Sequence, residues 1–298
     1  MTEAEVTEVL ALADAAAARD GVAPLSERVL LHLRYQGQEQ GPGSCTDLLV
    51  AKDGRIAGYA SLDPPGKRGQ PRSGELAVHP DCRRHGLGLE LVRALAAAAD
   101  GDPIRLWAHG DLPAAAMLAR AAGFERFRAL WQMRRPLGDP LEEPVFPAGT
   151  RVRTFRPGRD EDAWLGLNAR AFAKHPEQGA WTRHDLELRE QEPWFDPAGF
   201  FIADRHGTMA GFHWTKVHGR ADAPGSIGEV YVVGVDPDEQ GTGLGRALTL
   251  AGLGYLRDRG LAEVMLYVEE DNAPAIRLYE GLGFTRSATD AMYRPRAS

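Results

Sequence analysis

A β-branched apolar run headed by one polar position, Glu229, reads as a strand from residue 229 onward. Glu229, Tyr231, Val233 and Val235 fall on one side of an extended backbone and Val230 and Val232 on the other, between Gly228 and Asp236-Pro237. The period then lengthens: after Gly241, Gly243 and Gly245, the leucines at 244, 248, 250, 253 and 256 form the stripe of an amphipathic helix. A strand, a glycine turn and a helix entrance bring backbone N–H groups, unobstructed by Cβ atoms, to the positive end of a helix dipole. That arrangement seats a pyrophosphate.

The same alternation of periods runs through the chain. Val6, Val9, Leu10 and Leu12 predict a helix over 2–19, and Leu30, Leu31 and Leu33 a second beginning at Ser26. Residues 47–62 read as a hairpin about Asp53-Gly54, 74–95 as strand, glycine turn and helix, 104–109 as a strand, and 113–122 as a helix closed by Gly123-Phe124. The second half repeats the order: a strand at 151–155, a helix at 160–172, a hairpin over 199–218 about His206-Gly207, the organising stretch, a strand at 264–272, and a helix closed by Gly283-Phe284. Val78-His79-Pro80 precedes Val235-Asp236-Pro237 by 235 − 78 = 157 positions, and Gly123-Phe124 precedes Gly283-Phe284 by 283 − 123 = 160. Two copies of one α/β fold follow, an N-terminal domain at 1–138 and a C-terminal domain at 151–298. The linker, 139–150, lies in a stretch with prolines at 136, 140, 144 and 147.

Composition narrows the partners. At 298 residues the chain accommodates two cores, and 43% hydrophobic with 26% charged residues is the balance of an ordinary globular protein. A net charge of -7 argues against nucleic acid or an anionic membrane as partner, and no apolar run reaches the roughly 20 residues of a membrane span. Cys45 and Cys82 are too few for a disulfide framework or a structural zinc site. A cytoplasmic, metal-free monomer acting on small molecules is expected.

Glycine spacing selects the pyrophosphate. Counting from Gly241 or Gly243, the sixth position is Arg246 or Leu248, so the dinucleotide fingerprint fails, and the Walker Gly-Lys-Ser/Thr is missing. The pattern V-x-P-x-x-Q-G-x-G-x-G-R over Val235 to Arg246 resembles the acetyl-CoA loop of the GNAT acetyltransferase superfamily. That resemblance implies a mixed central sheet flanked by helices, with the thioester carbonyl in a splay between two strands. Val233, Gly234 and Val235 match that place, and Gly234 is the expected site of a bulge.

Acetyl transfer to an amine needs a proton acceptor, an oxyanion donor and an acid for the departing thiolate. Glu229 lies seven residues before Asp236, and the same count back from His79 reaches Arg72, so the first copy lacks this carboxylate. Tyr279 lies four residues before Gly283, where the first copy has Ala119, and it matches the tyrosine by which many GNAT enzymes protonate the CoA thiolate. The second copy is therefore expected to be catalytic, and the first to hold acetyl-CoA silently.

The strings DGVAPLSERVL (20–30), WAHG (107–110), QMRRPL (132–137), HPEQG (175–179), GFHWTKVH (211–218), GEVYVVGVDP (228–237) and LYVEEDN (266–272) resemble the mycothiol synthase family. That family transfers acetyl from acetyl-CoA to the cysteinyl amine of cysteinyl-glucosaminyl-inositol. The resemblance implies second-domain cofactor contacts at Val233, Gly234 and Val235, then Gln240, Gly241, Thr242, Gly243, Leu244, Gly245 and Arg246, then Asn272, Ala273, Pro274, Ala275, Ile276 and Arg277. In the first domain it implies Leu76, Ala77 and Val78 with Arg84, His85, Gly86, Leu87, Gly88 and Leu89. Acceptor contacts would fall on Glu27, Glu177, Lys216, Glu229 and Tyr267, and the family's acid tyrosine matches Tyr293 as a rival to Tyr279. Gly241-Thr242 departs from the Arg-Arg or Arg-Gly pair common there, which puts one phosphate contact in question. Another small amine, an aminoglycoside or a protein N-terminus as acceptor, and a CoA-binding sensor, are the competing readings.

Overall fold

A computed structural model describes residues 1–35, 45–66, 69–173, 175, 178–219 and 225–296. The elements are α1 (Glu3–Asp20), α2 (Glu27–Tyr35), β1 (Thr46–Lys52), β2 (Arg55–Leu62), β3 (Arg72–Val78), α3 (Leu87–Ala98), β4 (Ile104–Ala108), α4 (Pro113–Ala121), β5 (Phe124–Pro136), β6 (Arg151–Thr154), α5 (Glu161–Ala171), α6 (Arg183–Glu190), β7 (Phe200–Arg205), β8 (Thr208–His218), β9 (Ile227–Val235), α7 (Leu244–Asp258), β10 (Glu263–Glu269), α8 (Ala273–Glu280) and β11 (Thr285–Pro295). The predicted helices and hairpins form in the predicted order in both halves.

Two compact units result, and their limits differ from those of the sequence halves. The first comprises residues 1–131 together with 288–298, the second 132–287. The C-terminal strand thus completes the first unit: Ala291, Met292 and Tyr293 of β11 pair antiparallel with Ala108, Trp107 and Leu106 of β4. Residues 132–136, at the end of β5, belong to the second unit, where β5 neighbours β10. The proline-rich stretch is packed rather than loose. Leu137 is 1% exposed, its N–H bonds Ala262 O at 2.8 Å, and Phe146 packs against Ala203, Ala210, Leu244 and Leu248.

Each unit buries both faces of its sheet. In the first, Leu91, Leu95, Ile104, Leu106 and Tyr293 fill one layer, and Val9, Leu12, Val29, Tyr59 and Ala77 the other. The second has Trp164, Leu186, Phe200, Phe212 and Trp214 beneath α5 and α6, with Leu244 and Leu248 of α7 opposite. A bulge at equivalent positions marks the repeat: the β1–β2 register shifts between Val50 and Ala51, and the β7–β8 register between Ala203 and Asp204. Gly58 and Gly211 are glycines for the same reason, since a Cβ would meet Leu91 at 3.0 Å in one and Leu248 at 2.8 Å in the other. The helix of each copy can therefore lie close on its strand.

Candidate active site

In the second unit β9 and β10 pair in parallel over Gly228–Val230 and Val264–Leu266, then run on to Val235 and Glu269 with no further register pairs. The strands splay there, leaving the backbone of β9 open on that edge. On its other edge Val230 pairs with Thr215 and Val232 with Trp214, so Tyr231 is the extra residue of a bulge. The expectation of a bulge at Gly234 is corrected: Gly234 pairs regularly with Phe212. It is glycine because a Cβ would lie 2.5 Å from the Phe212 ring.

Beyond Val235 the loop reaches α7 through Gly241 (φ 78°) and Gly243 (φ 90°), left-handed conformations that glycine adopts without strain. Gly243 caps α7 with no side-chain bond, so the first N–H groups of a 15-residue helix stay available to an anion. The expected cofactor residues Gln240 to Leu244 surround this entrance. Arg246, one turn in, is paired with Glu142 at 2.9 Å. Of the set 272–277, Asn272 caps α8 by accepting the Ala275 N–H at 3.2 Å, and the others form its first turns.

The strand face bearing Glu229 carries the acceptor candidates. Glu229 is 6% exposed and Lys216 8%, and the two are register partners on β9 and β8. The Lys216 ammonium lies 4.4 Å from the Trp194 ring centre and 5.1 Å from that of Tyr231. Tyr231 accepts a 2.7 Å hydrogen bond from Arg189 Nε, and that guanidinium stacks 3.9 Å over Trp181. Met265 is the β10 partner of Glu229, which places Tyr267 on the same face. Tyr267 is 40% exposed and accepts from Gln132 Nε2 at 2.9 Å. Sequence reasoning did not single out His218, whose Nε2 lies 2.6 Å from Glu229 Oε2. The signal was present as alternation, because 216 and 218 face 229 and 227 across the ladder. Glu177 lies outside the described residues. Tyr279 sits on α8, edge-on to Phe284, and burial pushes its hydroxyl up to about 12.

The first unit splays at the same place: β3 and β4 pair over Arg72–Gly74 and Ile104–Leu106, then part. A cleft of about 450 Å³ opens there, lined by Leu76, Ala77 and Val78, by Arg84 and Gly86 to Leu89, and by Tyr293. All the residues expected to hold cofactor in the first domain, except His85, line it. Gly86 (φ 86°) opens α3 as Gly243 opens α7. The β2–β3 register, however, is unbroken from Gly58–Val78 to Leu62–Gly74, with no bulge. Because Tyr231 is an inserted residue, the positional equivalent of Glu229 is Ser73 rather than Arg72. Arg72 is 6% exposed and donates to Asp63 O at 2.8 Å and Ala98 O at 3.2 Å. Glu75 is 3% exposed, accepts the Ser26 N–H at 2.6 Å and lies 3.5 Å from His109 Nε2. His109 Nδ1 is 2.9 Å from Asp290 of β11. Burial opposes a charged ring, but Asp290 and Glu75 outweigh it and hold His109 up at about 10. Glu27, the first residue of α2, also belongs to this unit. The arrangement separates the rival tyrosines: Tyr279 lies in the unit of Glu229, Tyr293 in the other.

Two acyl-thioester folds in one chain, each with a splayed parallel pair beneath a helix entrance, define an acyltransferase architecture. The sequence matches the acetyltransferase (GNAT) family over residues 16–124 and 167–284. It is 62% identical to the mycothiol acetyltransferase of Thermobispora bispora, covering 98% of this chain and 97% of that one. The corresponding protein of Thermomonospora curvata is 60% identical over 99% of this chain and 95% of its own. Among solved structures, a tandem GNAT protein from the clavulanic acid biosynthesis pathway superposes with a TM-score of 0.74 at 23% identity, covering 99% of this chain and 96% of that one. A GCN5-related N-acetyltransferase from Sphaerobacter thermophilus gives 0.70 at 25% identity, with 99% and 93% covered. The chain belongs to the GNAT acetyltransferases and, within them, to the mycothiol acetyltransferases.

Proposed function

We propose that the chain transfers acetyl from acetyl-CoA to the cysteinyl amine of desacetylmycothiol (Cys-GlcN-Ins), with the chemistry in the second unit. The observation that carries this is Glu229: a buried carboxylate at the mouth of the β9–β10 splay, two residues before the bulge at Tyr231. The pyrophosphate of acetyl-CoA binds at the entrance of α7, and its carbonyl lies along the open edge of β9, where backbone N–H groups stabilise the oxyanion. Glu229 removes a proton from the acceptor ammonium, and the free amine attacks the thioester carbon. The C–S bond breaks and the thiolate takes a proton from Tyr279, which its raised pKa keeps protonated at neutral pH; the attacking nitrogen gives up its second proton to water as the amide forms, and Tyr279 regains one from water. Lys216, held over Trp194 and Tyr231, and Tyr267 line the face that receives the polyhydroxylated acceptor. The first unit binds acetyl-CoA in its cleft without turning it over.

The test is release of CoA thiol when the protein meets acetyl-CoA and Cys-GlcN-Ins. Turnover with this acceptor, against little with aminoglycosides or peptide N-termini, is the expected result. Tight acetyl-CoA binding with no thiol release for any amine would instead mark a sensor.

A further inference from the structure

A base that works at every turnover must also shed the proton it takes, and Glu229 is poorly placed to do so alone. Its side chain is 8% exposed, whereas that of His218, bonded to it at 2.6 Å, is 37% exposed. Register builds the contact in. Lys216 stands opposite Glu229 and His218 opposite Ile227, so the imidazole reaches diagonally along one face to Oε2 and leaves Oε1 for the acceptor. The other polar groups on this face are already engaged: Lys216 on the Trp194 and Tyr231 rings, the Tyr231 hydroxyl with Arg189 of α6, the Tyr267 hydroxyl of β10 with Gln132, and Glu269 of β10 with His175 at 3.5 Å. From α5 this layer receives the apolar side chains of Trp164 and Leu167.

We infer that His218 is the exit for the proton collected by Glu229, a role that rests on Glu229 being the base. The ammonium N–H bond breaks as a carboxyl O–H forms on Glu229. While Glu229 is ionised the ring carries its proton on Nε2 and donates it to Oε2; once the carboxyl forms, the ring exchanges with water to the Nδ1–H tautomer, Nε2 takes the carboxyl proton, and the Nδ1 proton leaves to water. The carboxylate and the Nε2–H tautomer are both restored, and one proton has crossed the pair. His218 touches neither substrate and acts through Glu229, so it is a positioning and relay residue.

Rates with acetyl-CoA and Cys-GlcN-Ins decide the matter. Glu229→Gln at full rate overturns the base and the exit together, and a large loss there leaves the exit to be judged on His218 alone. For His218→Ala we expect kcat to fall about 10-fold, with KM for both substrates and acetyl-CoA affinity unchanged, and the rate to recover as imidazole is added to the buffer. In His218→Gln, which keeps a hydrogen bond but cannot relay, kcat is expected to drop similarly, with no change in KM for either substrate to account for it. Wild-type kcat in His218→Gln, or a loss in His218→Ala that imidazole leaves untouched, overturns the proposal.

Discussion

Strands β3 and β9 occupy the same place in twin folds and differ by one residue. Both part from their parallel neighbour after three register pairs, and both lead through a left-handed glycine into a helix whose first N–H groups are open. In β9 an inserted Tyr231 breaks the pairing with β8, and a buried glutamate precedes it. In β3 the pairing is unbroken, Ser73 stands in for that glutamate, and the nearby charges of Arg72, Glu75 and His109 are spent on carbonyls, a backbone N–H and each other. On the proposed function, gripping a thioester carrier needs only the loop and splay, while chemistry needs a carboxylate with one oxygen bonded to His218 and the other left for the acceptor.

The sharpest way to break this contrast is Glu229→Ala. We expect kcat to fall about 10²-fold or more, with acetyl-CoA binding retained because no part of the α7 entrance is altered. Unchanged turnover in steady-state thiol release would place the base elsewhere and remove the distinction between β9 and β3.

The tyrosines extend the comparison. Tyr279→Phe removes a hydroxyl from the unit of Glu229 and should lower kcat by about 10-fold to 10²-fold. Tyr293→Phe changes the lining of the first-unit cleft and should leave kcat close to wild type while altering acetyl-CoA affinity at that cleft. The reverse outcome, a silent Tyr279→Phe with a crippled Tyr293→Phe, would move the acid out of α8.

Much of this was legible in the chain and some was not, for physical reasons. The period-two run at 229–235, the turn glycines and the constant offset gave the twin folds and both loops, because those features are local. The bulge was not legible: Val230, Tyr231, Val232 and Val233 are all good strand formers, so nothing in propensity says which one lies outside the ladder, and Gly234 drew attention that its packing against Phe212 explains. Nor could 124–136 and 285–295, which sequence reasoning left without an element, reveal that residues 288–295 complete the first unit and that 132–136 belong to the second. That exchange is what puts Tyr293 beside Leu106 of the first unit. Lys216 and Glu229 were found as separate residues, whereas their pairing, and the reach of His218 to Glu229, are properties of register.

Opposite responses to pH offer a subtler separation of the units. His213 on β8 is fully buried, donates Nδ1–H to Leu248 O at 2.8 Å, and is pushed down to about 4 by burial. Its neutral form therefore costs the second unit nothing above the unfolded pKa of about 6.5, and stability is lost as pH falls below that value, by about 2 kcal/mol at pH 5. His109 is the reverse. Its raised value means that stability is fully present below about 6.5 and is lost as pH rises toward 10. Opening free energies from native-state hydrogen exchange at pH 5 and pH 9 should rise with pH for β8 amides and fall for those of β4 and residues 288–295. Parallel changes in both sets would show that these histidines do not set the pH response of their units.

The smallest effect concerns the loops themselves. Arg84 and Gly241 are equivalent, and both are left-handed, at φ 67° and 78°. The first unit therefore tolerates an arginine where the second has glycine, at a strain cost on the order of 1 kcal/mol. An arginine at 241 would offer the pyrophosphate a charge-assisted partner worth about 1.5–3 kcal/mol. With the strain subtracted, Gly241→Arg should tighten acetyl-CoA binding to the second unit by about 2- to 30-fold, read by calorimetry as a shift confined to one of two sites. Weaker binding would mean that Gly241 and Thr242 shape the α7 entrance in a way that Arg84 and His85 do not, and the two loops would then differ in construction as well as in the strands that precede them.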